Sequence, residues 1–246
     1  MNSKSWQSFD SRLKMLKQHL QLSDLALKIA NKKAMSCAGT GQKIAEALGG
    51  ALDTHGQLNI PNERKDISRT FITSRKKLHE QAIIELYGEF SNYLANIITE
   101  IVHKQPKRFL SILSENSDNG IKYKEVIRIG SYNALIDEIA KRVFRTLENK
   151  RSTKDLLSAF VKNIKIDVDN TILETALAYL EIRHLIIHND TKADAKFKSM
   201  ARHDVVSINN STQKITLNFT VSNEAINAVF QLCKNIDDDI ITKELV

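Results

Sequence analysis

Apolar residues recur at spacings of three and four through most of the chain, and few residues interrupt them. Only 8 glycines and 2 prolines occur among 246 residues, whereas a β-sandwich or barrel needs a turn signal about every 8–12 residues. The pattern therefore predicts a mainly α-helical protein. With 42% hydrophobic residues, the chain is long enough to bury one large core.

Local signals divide the chain into predicted elements. Pro106 ends one long helix, and Asp169 or Asn170 caps the start of a later one. Alternating residues at 214–219 predict a small β-hairpin over 205–219. The predicted helices span about 5–35, 63–104, 107–113, 123–148, 154–163, 170–188 and 222–236.

The segment from Gly49 to Pro61 is poor in periodic apolar residues and predicts a connector. We therefore expect an N-terminal helical extension at 1–60 and a helical domain at 61–246. Gly39 and Gly41 precede Lys43, but no strand comes before them and the Gly-x-x-x-x-Gly-Lys spacing is absent. A plain turn is favoured there over a phosphate-binding loop.

The formal net charge of +7 indicates an anionic partner, which fits nucleic acid, acidic lipid headgroups or an acidic protein. No apolar run approaches the ~20 residues that span a bilayer, and no signal peptide is recognisable. We expect a cytoplasmic protein with no membrane partner, although a basic helix lying on a membrane surface stays an alternative. The cations that predict nucleic-acid contacts are Arg75, Lys76, Lys77, Lys141, Arg142 and Arg145. A solvated helix exterior is their other interpretation.

The one stretch that suggests chemistry is the end of the predicted helix near residue 188. Arg183 and His188 stand five positions apart there, just before Asn189 and Asp190. A permanently charged guanidinium and an imidazole that titrates near neutral pH suit a phosphodiester reaction without a metal. On a straight helix these two positions differ by roughly 140°, so they converge only if the last turn distorts or if His188 sits at a frayed end and turns back.

Three interpretations of these residues stay open. In the first, Arg183 forms a structural ion pair with Glu181 or Glu89, and the histidines are ordinary helix-end residues. In the second, His184 and His188 bind a metal at a four-residue spacing, although a third ligand is not obvious; the candidates are His203 and Asp204. In the third, Arg183 and His188 act on a phosphodiester.

The heptapeptide at 183–189, Arg-His-Leu-Ile-Ile-His-Asn, resembles the Arg-x-x-x-x-His signature of the HEPN superfamily, whose members include RNase toxins and antiphage-defence effectors. The stretch at 85–94 is similar to an early core helix of that superfamily. The resemblance spans about 66–239. It implies a HEPN-like helical bundle, with a small hairpin after the motif helix and a C-terminal helix.

The resemblance also implies a function. A HEPN nuclease is a metal-independent endoribonuclease without a cofactor, in which two chains form a composite cleft, so RNA and a second copy are the expected partners. Arg183 and His188 would be the catalytic residues, with His184, Asn189 and Glu89 in support. An antitoxin or defence-system protein is a further expected partner. The alternative is a non-catalytic HEPN-like module that binds RNA, a nucleotide or a protein within a larger assembly.

One position departs from the resemblance. A toxin branch of the superfamily carries a tyrosine two residues after the motif histidine, and Asp190 occupies that place here. Modification of such a tyrosine is therefore not expected in this chain.

Overall fold

A computed structural model describes residues 2–38, 63–114, 121, 123–200 and 206–246. Most of these residues lie in nine α-helices, which confirms the predicted helical class. The helices are α1 (Lys4–Cys37), α2 (Arg64–Lys104), α3 (Leu110–Ser114), α4 (Tyr123–Ile129), α5 (Tyr132–Glu148), α6 (Thr153–Ile164), α7 (Asn170–His188), α8 (Ala195–Met200) and α9 (Phe219–Thr242), with a 3-10 turn at Pro106–Phe109.

The long helix α2 is the centre of the bundle, because α1, α5, α7 and α9 all pack against it. Its apolar residues from Ala82 to Val102 are buried at helical spacing. Tyr93 is fully buried on this helix, and its hydroxyl donates a hydrogen bond to the carbonyl of Cys233 on α9 at 3.1 Å. Burial of the α2 stripe against four neighbours supplies the main hydrophobic stabilisation of the fold.

The first half of α1 belongs to the same hydrophobic core. The ring of Phe9 lies 5.2 Å from that of Tyr93 on α2, and the ring of Trp6 lies 5.0 Å from that of Phe230 on α9. The predicted boundary at residue 60 falls in 39–62, outside the described residues. The division into 1–60 and 61–246 therefore stays a prediction, but α1 is packed into the bundle.

Side-chain caps explain where several helices begin. The hydroxyl of Ser152 accepts from the backbone N–H of Asp155 at 3.1 Å at the start of α6, and a carboxylate oxygen of Asp169 accepts from two backbone N–H groups at the start of α7. Both caps satisfy donors that a helix start leaves unpaired. The predicted helix at 123–148 is split, because Gly130 adopts a left-handed backbone with φ +73° between α4 and α5.

The region of the predicted β-hairpin contains two isolated antiparallel bridges, Lys192 with Lys214 and Ile208 with Ile215. No strand occurs among the residues the structure describes, so the hairpin is not confirmed. The predicted alternation ends early because Asn218 caps α9, its side chain accepting from the N–H of Val221 at 3.0 Å. Within the described ranges, no helix is both long and apolar enough to cross a membrane.

Candidate functional site

The candidate site lies where α7 emerges from the core. Residues 176–182 of α7 are buried, whereas the last turn reaches solvent. The helix stops because Asp190 and Thr191 adopt left-handed backbone conformations, with φ 48° and 63°. The N–H of Thr191 then donates back to the carbonyl of Leu185 at 2.9 Å, which satisfies one of the carbonyls at the helix end.

Arg183 is half-buried, and its guanidinium stacks on a tyrosine of α2. The guanidinium carbon lies 4.9 Å from the centre of the Tyr87 ring. Such a cation–π contact contributes roughly 0.5–2 kcal/mol. The guanidinium lies over the ring of Tyr87 and keeps its N–H donors, which can also bind an anion.

The carboxylates proposed as ion-pair partners of Arg183 are used elsewhere. Glu181 is buried and binds Lys196 at 2.6 Å. Glu89 lies 2.9 Å from the guanidinium of Arg12 on α1, and its supporting role at the motif stays a prediction. Among the described residues, no carboxylate pairs with Arg183, and the structural ion pair is not observed there.

His184 and His188 are both exposed and lie side by side on the last turns of α7. Their ring centres are 4.8 Å apart, with an angle of 45° between the planes. Ile187 is 44% exposed next to them. The side chain of Asn189 donates to the carbonyl of Lys192 at 2.9 Å, so it holds the turn that ends the helix. This face of α7 thus presents two imidazoles to solvent.

One chain does not bring Arg183 and His188 onto a common face. The helical ladder continues through the motif, since the N–H of Asn189 donates to the carbonyl of Leu185 at 3.1 Å. The distortion needed for convergence is therefore absent, and the two positions stay roughly 140° apart around α7.

Among the described residues, no group of three histidine, cysteine, aspartate or glutamate side chains is placed to hold a metal ion. His184 and His188 have the right separation for two ligands on one helix. The suggested further ligands, His203 and Asp204, lie outside the described residues.

The basic residues predicted on α2 are engaged with carboxylates. Arg75 donates its Nε–H to buried Asp24 of α1 at 2.9 Å. Lys76 and Lys77 both contact Glu80, at 3.5 and 2.7 Å. Lys77 is largely exposed, so it is the most accessible of the three cations for a polyanion.

Of the basic residues predicted on α5, one is paired with carboxylates and two are exposed. Arg142 contacts Glu138 at 3.1 Å and Glu125 of α4 at 3.0 Å, so it joins α5 to α4. Lys141 and Arg145 are exposed on the same helix. Only these two present freely accessible positive charge on α5.

A pocket of about 340 Å³ lies between α2 and the segment 207–218. Its lining includes the cations Arg75, Lys76 and Lys214 together with His79, and none of its lining residues is acidic. The pocket adjoins the motif because Lys214 binds Asp190 at 2.6 Å, two residues after His188. This contact holds the pKa of the Asp190 carboxyl below its ordinary value.

Sequence reasoning missed this pocket. Lys214 sits in an alternating segment that pointed to a solvent-facing strand, and His79 lies within an ordinary helical pattern. The residues that line the pocket come from segments more than a hundred positions apart, so no local pattern indicated that they meet.

A buried polar cluster lies beside the pocket. Burial acts to raise the pKa of Asp24, but Lys28 and Arg75 lower it below the ordinary value. Burial lowers the pKa of His79, and the Asp24 carboxylate only partly opposes this effect. The Nδ1 atom of His79 lies 3.2 Å from the hydroxyl of Ser222 on α9. The imidazole is therefore favoured in its neutral form in the folded protein.

We expect the free energy of unfolding to decrease as the pH falls from about 7 to about 5, partly through His79. The pKa of His79 is lowered on folding, so the unfolded chain binds a proton that the folded chain resists. The stability that neutral His79 supplies is present above an unfolded pKa of about 6.5 and is lost below it. Urea unfolding at several pH values measures this dependence. In the His79→Asn variant the free energy of unfolding should decrease less steeply with falling pH. The control is His19→Asn, at an exposed position, which should show the same pH dependence as the wild type. Equal slopes in all three proteins would contradict this role.

The geometry of the described side chains is the basis for assigning a function. No protein-family model matches the chain, and no curated protein or solved structure does either.

Proposed function

We propose that the protein is a metal-independent endoribonuclease of HEPN type, acting at a cleft between two copies of the chain. The observation that carries this proposal is the arrangement of side chains at the end of α7. Two exposed imidazoles, His184 and His188, lie 4.8 Å apart there, and a pocket lined by cations adjoins them through Asp190 and Lys214. Proton-transfer groups beside a cationic surface suit a phosphodiester substrate.

RNA supplies its own nucleophile for this reaction. His188 of one chain removes the proton of a ribose 2′-hydroxyl, and the 2′-oxygen forms a bond to phosphorus. The bond from phosphorus to the 5′-oxygen breaks, and the neighbouring imidazole of His184 donates a proton to that oxygen. The products are a 2′,3′-cyclic phosphate end and a 5′-hydroxyl end, with no oxidant or metal required.

Arg183 would stabilise the charge that develops on the phosphate. Its guanidinium carbon lies 4.9 Å from the centre of the Tyr87 ring, and two of its N–H groups can donate in parallel to non-bridging oxygens. Since Arg183 and His188 lie on different sides of α7, the guanidinium of one chain would serve the imidazole of the other. This is why the proposal requires a dimer with a HEPN-like arrangement of the bundle.

The wider surface fits a partner that carries phosphates. Exposed Lys77, Lys141 and Arg145 would contact the RNA backbone without selecting a sequence. The proposal includes a cytoplasmic role as a toxin or antiphage-defence effector, restrained by an antitoxin or a defence-system protein.

Purified protein incubated with total RNA in EDTA tests the function. We expect fragments that end in 2′,3′-cyclic phosphate, because the 2′-oxygen is the nucleophile and no metal takes part. The ends are identified by their resistance to ligation until a phosphatase that opens the cyclic ester has acted. Cleavage that stops in EDTA, or that leaves 3′-hydroxyl ends, would contradict the proposed chemistry.

A second candidate is a non-catalytic HEPN-like module that binds RNA, a nucleotide or a protein. The observation that favours it is the position of Arg183, which is half-buried against Tyr87 and on a different side of α7 from His188. In the EDTA experiment, RNA that is retained by the protein but remains intact supports this module over the nuclease.

A further inference from the structure

We infer that the pocket between α2 and the segment 207–218 is a binding site for a phosphate monoester group, separate from the imidazoles of α7. This inference goes beyond the proposed function, because it needs no cleavage of RNA and no dimer. It follows from the charge, the hydrogen-bond donors and the size of the pocket.

The first observation is an excess of positive charge around the pocket. Six cationic side chains interact with only three carboxylates in this region, among the residues the structure describes. The cations are Lys28, Arg75, Lys76, Lys77, Lys192 and Lys214, and the carboxylates are Asp24, Glu80 and Asp190. The carboxylates hold the cations in place but leave three positive charges unbalanced. A dianion would neutralise most of that excess.

The second observation is that the polar groups lining the pocket are mainly donors. The side-chain oxygen of Asn209 accepts from the backbone N–H of Thr212 at 2.9 Å, and that of Asn218 accepts from the N–H of Val221 at 3.0 Å. Both asparagines line the pocket. With their oxygens occupied, their NH₂ groups are the parts left to bind a ligand, and these groups can only donate.

The third observation is a buried imidazole in the wall of the pocket. His79 lines the pocket and is 1% exposed. Its Nε2 atom lies 3.4 Å from a carboxylate oxygen of Asp24, but the contact lacks hydrogen-bond geometry, and Nε2 has no other partner among the described residues. Because Nε2 faces the Asp24 carboxylate, we assign the anion to the cations that line the pocket, and His79 forms part of the wall beside them.

The fold adds a favourable field at the same place. Asn218 is the N-cap of α9, a helix of 24 residues, so the positive end of that helix dipole lies at the pocket wall. Helix starts with side-chain donors around them commonly bind phosphate groups. Here the dipole supplements the cations and donors already described.

The volume of the pocket indicates the size of the anionic ligand. A volume of about 340 Å³ lies near the lower end of the range for small-molecule sites. It accommodates one phosphate group with a small organic substituent. The phosphate could belong to a free small molecule or to the phosphorylated end of an RNA strand.

Calorimetric titration of the full chain with inorganic phosphate at low salt tests the site. We expect saturable binding that weakens at least about tenfold in the double variant Lys76→Gln/Lys214→Gln, because two charge-assisted contacts are removed. The matched control is Lys14→Gln/Lys234→Gln. It removes two lysines that also pair with carboxylates, Asp10 and Asp238, but do not line the pocket.

Titration with a short oligoribonucleotide identifies the source of the phosphate. In a His188→Ala background, which prevents cleavage, a 5′-phosphorylated strand is compared with its 5′-hydroxyl counterpart. A preference for the phosphorylated strand that disappears in the Lys76/Lys214 double variant supports the site and assigns it to an RNA end. Binding of inorganic phosphate without that preference supports the site and assigns it to a small phosphorylated molecule.

Two results would overturn the inference. One is the absence of binding of both probes to the wild-type chain. The other is an equal loss of binding in the control variant, which would mean that only net charge matters. Because RNA cleavage can be absent while phosphate binding persists, failure of this inference and failure of the proposed function are distinguishable.

Discussion

Replacing His188 by alanine is expected to reduce RNA cleavage by about 10²–10⁴-fold, the range that general acid–base catalysis contributes. The side chain is exposed at the end of α7, so its removal leaves the core intact and the melting temperature close to that of the wild type. Initial rates on one RNA substrate, measured beside a thermal unfolding curve of each protein, check both parts of this expectation.

The matched control is His19→Ala, which removes another exposed imidazole from a helix, α1, outside the proposed site. It should cleave RNA at the wild-type rate. Undiminished cleavage by His188→Ala would remove this residue from the mechanism. An equal loss in both variants would attribute the effect to general changes in charge.

Mixing two inactive variants tests whether the site is shared between chains. Arg183 and His188 lie roughly 140° apart on one helix, and in the proposed nuclease they come from different copies. A dimer of one Arg183→Ala chain and one His188→Ala chain would then keep a complete pair in one of its two positions. We expect cleavage to reappear on mixing, and mixtures that stay inactive would indicate that each chain works alone.

Replacing Phe9 by alanine is expected to lower the free energy of unfolding by about 3–5 kcal/mol. Phe9 is fully buried on α1, and its ring contacts that of Tyr93 on α2. Since domains are stable by only about 5–15 kcal/mol, the loss should be large and should affect the whole molecule. Urea unfolding monitored by circular dichroism measures it.

Met15→Ala is the control on the same helix, because Met15 is 68% exposed and its removal should change stability by less than about 0.5 kcal/mol. If α1 were an independent extension, Phe9→Ala would shift an early transition only, and the main transition would stay in place. A single transition displaced as a whole indicates that α1 folds with the rest of the bundle.

Local signals in the sequence predicted much of the helical framework. The caps at Ser152 and Asp169 and the stop at Pro106 act within a few residues of themselves, so sequence reasoning placed those helix ends to within a residue or two. The break at Gly130 was not predicted, because the apolar spacing continues on both sides of this residue. Asn218 was missed as a cap because the alternation around it resembles a strand.

The surroundings of the candidate site could not be predicted in the same way. Arg75 binds Asp24, 51 positions away, and Glu89 contacts Arg12 on another helix. Such pairs depend on which helices meet, and amphipathic spacing identifies a buried face without identifying the partner. The ends of α7 were predictable, whereas the stacking of Arg183 on Tyr87 followed only from the tertiary packing.

One uninterrupted helix, α2, supplies both a wall of the pocket and the Tyr87 ring that contacts Arg183. His79 and Tyr87 lie eight positions apart, which is about 12 Å along a helix axis. Insertion of a single residue between them would rotate one position by about 100° relative to the other. A chain that descends from the same ancestor and keeps both features therefore has to preserve the length of this interval, even where its individual residues change.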